Sequence, residues 1–199
     1  MATIKSIRKL CRDKRNALSA DEQHTHSLKI IQYLKHLRWL ERAKHIAAYL
    51  ATNGELNLEP LISKLRQADK NIYLPVLGSF PQRKLWFVSY PSNSILKPNR
   101  FNILEPVLGS NNRYPPLRLD VILVPIVAFD ADCNRIGMGG GFYDRTLAYQ
   151  KHLLFWKRPR LIGVAHECQR VEKIVMRKWD VPLDAIVTER KIYGNFSTT

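Results

Sequence analysis

Acidic residues are scarce in this chain. Seventeen Asp and Glu stand against 32 Lys and Arg, a net charge of +15. The imbalance points to anionic partners such as nucleotides, polycarboxylates, nucleic acid or a membrane surface. Cysteine is equally sparse. Cys11, Cys133 and Cys168 show neither paired nor metal-type spacing, and an odd number leaves one unpaired in any disulfide scheme. A disulfide scaffold and a zinc ribbon are thereby excluded, and a reducing cytoplasm is expected. No apolar run approaches the roughly 20 residues that span a bilayer. Residues 1–15 are charged with no apolar centre, so no secretory signal is expected. No RRM, KH, dsRBD or zinc-finger pattern occurs, which leaves the +15 charge and a basic helical stripe near the N-terminus to support a non-catalytic RNA-binding protein.

The 199 residues and 45% apolar content suit one domain with a sizeable core. Ile4, Ile7 and Cys11 form an apolar helical stripe, and Lys5, Arg8, Arg12 and Arg15 form a basic one beside it. From spacing alone the basic stripe is a solvated face; the alternative is a ridge that meets phosphates. Ser19 and Glu22 fit a capping box ahead of a second helix carrying Ile30, Leu34 and Leu37. The first two helices thus occupy about residues 4–38. Asn57 is placed to cap a third, with Leu58, Leu61, Ile62 and Leu65 on one face. Short apolar runs predict strands at 46–50, 72–77 (interrupted by Pro75), 85–90, 121–124, 161–165 and 185–187. Residues 91–118 hold five prolines and five asparagines, which predicts one long loop. Strands alternating with helices predict a three-layer α/β/α domain with a mostly parallel sheet.

Glycine is rare overall, yet four of the nine fall in one strand–loop–helix setting, Arg135-Ile136-Gly137-Met138-Gly139-Gly140-Gly141-Phe142-Tyr143-Asp144-Arg145. The spacing fits neither the Walker A pattern nor the dinucleotide fingerprint. The physics of a phosphate cradle still applies: positive φ is accessible, bare amides can converge on an anion, and a helix near Phe142 adds its positive end. The alternative is a tight turn at a crowded backbone crossing. Asp144 beside such a cradle calls for a cation between carboxylate and phosphate, or is a helix-start carboxylate stabilised by the dipole. Asp184 is a second candidate ligand.

Taken with Leu119–Asp130, this block resembles the signature of the 5-formyltetrahydrofolate cyclo-ligases, also called methenyltetrahydrofolate synthetases. The similarity extends to the basic segment ending Lys14–Ser19, to Tyr49–Leu56, Tyr73–Leu77, Gly163–His166 with Gln169, and Pro182–Glu189. The resemblance implies a fold related to the sugar-phosphate isomerase and CoA-transferase type. It implies ATP contacts at Lys5, Arg8, Arg135, Gly137, Met138, Gly139, Gly140, Gly141, Phe142 and Tyr143. It implies folate contacts at Leu50, Glu55, Met138 and Phe142, and Mg²⁺ at Asp144 and Asp184. The family's route is phosphorylation of the formyl oxygen by ATP, then attack by N10. Arg145 and Asp144 are the catalytic candidates. The expected substrate is 5-formyltetrahydrofolate, with or without a polyglutamate tail, acted on by a monomer with no specific nucleic-acid or membrane partner. Two positions depart from the family pattern: Gly140 stands where many members carry Lys, and Phe142 where Tyr is frequent. A related phosphate-loop enzyme with another substrate is the competing reading.

Overall fold

The structure is a computed structural model that describes residues 3–78, 83–107, 109, 112–152 and 158–194. Five short strands lie parallel in the middle of one sheet: β1 (His45–Ala47), β2 (Asn71–Leu77), β7 (Val121–Pro125), β10 (Arg160–Val164) and β11 (Ala185–Val187). Antiparallel strands finish both edges. These are β3 (Leu85–Ser89) and β6 (Arg113–Tyr114) on one side, and β12 (Ile192–Tyr193) on the other. The spatial order is β12-β11-β10-β7-β1-β2-β3-β6. Two hairpins stand outside it: β4 (Leu96–Pro98) with β5 (Leu104–Pro106), and β8 (Ala128–Phe129) with β9 (Arg135–Ile136).

The uninterrupted apolar run of β7 is explained by burial on both faces. Val121 and Leu123 pack among α2 (Ala20–Lys35), α3 (Arg38–Arg42) and α4 (Glu59–Gln67), while Ile122 and Val124 face Phe129, Leu183 and α5 (Phe142–Leu147). Each such side chain contributes about 1.5–3 kcal/mol. The layer over the second face is thin, since α5 has six residues and irregular segments supply the rest. Helix α1 (Ile4–Asn16) seats Ile4, Ile7 and Cys11 on Val127, Ala128, Ile136 and Ile174.

The capping box forms as expected, with Ser19 Oγ accepting from Glu22 N and Glu22 Oε2 accepting from Ser19 N at 2.8 Å. Asn57 Oδ1 accepts the Glu59 amide at 2.9 Å, but the N-cap residue is Leu58, one position later than expected. The basic stripe of α1 splits. Arg8 and Arg15, seven residues or about two turns apart, flank the apolar stripe and turn inward, while Lys5 and Arg12 remain exposed. Pro75 is accommodated because β1 pairs with β2 only as far as Tyr73, so no parallel neighbour needs its missing N–H.

Residues 91–118 are not the single loop their composition suggested. They contain the β4–β5 hairpin, β6 and a 3₁₀ turn at Pro116–Arg118. Prolines 98 and 106 are tolerated because a two-stranded ribbon consists only of edges. Asn99 builds the turn: its Oδ1 accepts from Phe101 N at 2.8 Å and Ile103 N at 3.1 Å, and its Nδ2 donates to Glu105 Oε1 at 2.7 Å. Glu105 Oε1 also accepts the Leu77 amide at 3.0 Å, which moors the hairpin to the end of β2.

Candidate active site

A pocket of about 1030 Å³ opens where β1, β2 and β7 end. Open parallel sheets place ligands at this end of their strands. One wall is the glycine loop. After β9 the chain passes Gly139 at φ +104° and Gly141 at φ +64°, the latter starting α5. These are left-handed conformations that a side chain resists. Two arginines fasten the loop by its carbonyls and leave its amides uncommitted to them. Arg8 Nε donates to Gly137 O at 2.8 Å, and Arg145 Nη2 donates to Gly140 O. A Cβ at position 140 would lie 2.7 Å from the Phe142 ring. The Phe142 ring occupies the space a side chain at 140 would need.

Cations crowd this wall. Burial chiefly, then the neighbouring Arg177 and Arg12, hold the Arg8 guanidinium below its usual pKa. Lys151, Arg177 and Lys178 line the same pocket, with the exposed Trp179 beside them. Like charges held this close favour an anion between them. Arg135 is not part of that set. Its Nη2 pairs with Asp144 Oδ1 at 2.6 Å deep in the wall, so it steadies Asp144 and has little charge to spare for a phosphate. Asp144 Oδ1 also accepts the Val181 amide at 3.2 Å.

The pocket also has an apolar lining, with Leu50 just after β1, Leu77 and Leu85 from the sheet, and Phe101, Ile103 and Leu104 from the hairpin. Glu55 lines it too. The turn before it places Asn53 at φ +49° and Gly54 at φ +73°, and Thr52 N donates to Glu55 Oε2 at 3.2 Å. Burial raises the Glu55 pKa, while Arg15 and the Thr52 bonds pull it back down. Arg15 Nη1 is 3.8 Å from Glu55 Oε1. The Arg15 side chain is 1% exposed, and none of its three nitrogens reaches a hydrogen-bond partner. The Tyr49 hydroxyl is buried and unpartnered as well; burial, then Glu55, push its pKa well up. Tyr143, also raised by burial and then by Glu55, lines the same pocket.

Arg8, Leu50, Glu55, Arg135 and residues 137–145 thus line one cavity. Lys5 and Asp184 do not. Lys5 is on the exposed face of α1. Asp184 sits at the opposite end of the strands, where Oδ1 pairs with Arg160 at 2.9 Å and Oδ2 accepts the Leu161 amide at 2.8 Å. That carboxylate holds β10 to the start of β11 and has no place as a ligand in this pocket. Arg15, Tyr49 and Arg177 were missed by sequence reasoning. Arg15 was visible only as one more basic residue on a stripe, and nothing in the spacing around Arg177 marks it. The residues fit a divalent cation held by one carboxylate, because the Arg135 and Val181 contacts use only Oδ1 of Asp144, and phosphate oxygens and waters complete such sites.

The sequence matches the 5-formyltetrahydrofolate cyclo-ligase family over residues 1–189. The chain is 40% identical over 184 residues to the 5-formyltetrahydrofolate cyclo-ligase of Escherichia coli K12, covering 92% of this chain and 99% of that one. It is 41% identical over 177 residues to the Haemophilus influenzae enzyme of the same name, covering 89% and 92%. Its structure superposes on a 5,10-methenyltetrahydrofolate synthetase from Aquifex aeolicus with TM-score 0.80 and 32% identity, covering 96% of this chain and 92% of the other. A synthetase of the same name from Mycoplasma pneumoniae gives TM-score 0.73 at 26% identity, covering 94% and 99%.

Proposed function

The chain belongs to the 5-formyltetrahydrofolate cyclo-ligase family, and from that premise we propose that it closes 5-formyltetrahydrofolate to 5,10-methenyltetrahydrofolate at the expense of ATP. The observation that carries the reading is one cavity with two unlike halves. A cation-lined glycine loop and apolar side chains of the sheet and hairpin line the same space, with the largely buried Glu55 carboxylate among them. A triphosphate suits the first half and a reduced pterin the second.

An N-formyl group is a poor electrophile. Transfer of the γ-phosphoryl group to the formyl oxygen converts that oxygen into a leaving group. N10 then attacks the formyl carbon, the C–O bond breaks, and the N10 proton and inorganic phosphate depart with ADP. Such transfer depends on alignment and charge neutralisation more than on a protein nucleophile. Loop amides and Arg8 bind the phosphates, with Arg177 and Arg145 adding positive charge at the rim. Glu55 accepts hydrogen bonds from the pterin. Arg15 offsets part of the rise that burial imposes on that carboxylate's pKa, and the hairpin residues shield the reacting atoms from water. Asp144 would hold Mg²⁺, which supplies further neutralisation of the phosphates when bound. No helix among the described residues is long and apolar enough to cross a membrane, and the reading places the enzyme in the cytoplasm.

Methenyltetrahydrofolate absorbance should rise only with 5-formyltetrahydrofolate, ATP and Mg²⁺ all present. Product without ATP would refute the route, and no product with all three would refute the function.

A further inference from the structure

Behind the pocket, α2, the turn after β10 and the segment after β11 bring two histidines and a glutamate together. His26 Nδ1 and His166 Nδ1 lie 2.9 Å apart, and His26 Nε2 is 3.9 Å from Glu189 Oε1. Ligand atoms of the three side chains fall within 4.8 Å of one another, the one such group among the described residues. His26, Glu189 and Cys168 line an open cavity of about 410 Å³ that is separate from the substrate pocket.

Hydrogen bonding fixes which atoms are available. A carbonyl only accepts, so the 3.2 Å contact between His166 Nε2 and Gly54 O puts the hydrogen on Nε2. His166 Nδ1 is then a bare lone pair directed at His26. Glu189 Oε2 is anchored by the Glu167 amide at 2.9 Å, which leaves Oε1 on the His26 side. His166 and Glu189 are buried, and His26 is the half-exposed member able to adjust. A ring held through its far N–H by a main-chain carbonyl is how ligating histidines are oriented. Two imidazoles and a carboxylate suit Zn²⁺, with the fourth position open to water.

We propose that His26, His166 and Glu189 bind one divalent transition-metal ion of the Zn²⁺ class. The ion replaces the proton between the two Nδ1 atoms, and His26 carries its hydrogen on Nε2 instead. Donors around zinc lie roughly 3.3 Å apart, so the histidine pair opens slightly and Glu189 closes in. Because His166 holds Gly54, an ion here stiffens the turn that presents Glu55.

The test is titration of the full-length, chelator-treated chain with Zn²⁺ against a chromophoric zinc indicator. One equivalent per chain should bind tightly, and His26→Ala and Glu189→Gln should each weaken it tenfold or more. Exchanging the exposed His24 for Ala should leave it unchanged. Circular dichroism confirms that the variants fold. Co²⁺ added to the unmodified chain should give the intense visible bands of a tetrahedral site, a readout independent of any variant. No stoichiometric Zn²⁺ on the unmodified chain would overturn the proposal, as would equal affinity in folded His26→Ala.

Discussion

Arg15 and Glu55 set each other's charge. Arg15 is buried and Glu55 largely so, and neither would keep its charge cheaply alone. Removing the guanidinium leaves desolvation opposed only by the Thr52 bonds and raises the Glu55 pKa further. If the ionised carboxylate binds the pterin, the acid limb of kcat/KM against pH should move upward in Arg15→Leu by about one unit or more, and Arg15→Lys should restore part of it. An unmoved limb in a folded variant would remove Arg15 from this role. The two aspartates separate in the same way. Asp144→Asn should weaken the Mg²⁺ requirement or abolish turnover. Asp184→Asn should retain full kcat while losing about 1–3 kcal/mol of stability, since it removes the charge that pairs with Arg160 and leaves one acceptor oxygen where there were two. Activity assays and denaturant titration of the pair decide it; matching activity losses would put Asp184 back in the site.

The β4–β5 hairpin is tied to the sheet through Glu105 and shaped by Asn99. Asn99→Ala deletes three hydrogen bonds of the turn, so KM for the folate should rise several-fold while kcat and KM for ATP hold. Equal changes in both KM values would show that the hairpin serves the whole pocket. This hairpin is also where sequence reading failed, because proline and asparagine mark turns and edge strands alike. The central strands were legible because burial on both faces leaves continuous apolar runs. The glycine loop was legible because two of its residues need positive φ. The burial of Arg15 against Glu55 was not, because a buried arginine and a solvated one look alike until the tertiary partner is known.

Across the whole molecule, the +15 charge and a pocket lined by Arg8, Lys151, Arg177 and Lys178 would draw the two anionic substrates of the proposed reaction. Such attraction is screened over about 10 Å at 0.1 M salt. KM for ATP should therefore rise with ionic strength more steeply than kcat falls, and initial rates from 25 to 400 mM KCl would show it. A flat KM would mean that the surplus charge serves something else. Helix α1 has a further consequence. On the proposed reading it carries Arg8 to the phosphate end and Arg15 to the pterin end, two turns and roughly 10 Å apart along a rigid rod. Its pitch acts as a calliper for the distance between the two ligands. One residue inserted between Lys9 and Lys14 would swing one jaw by about 100° relative to the other. Such a chain should fold around the same sheet and bind either ligand singly, yet lose the ability to hold the two in register for reaction.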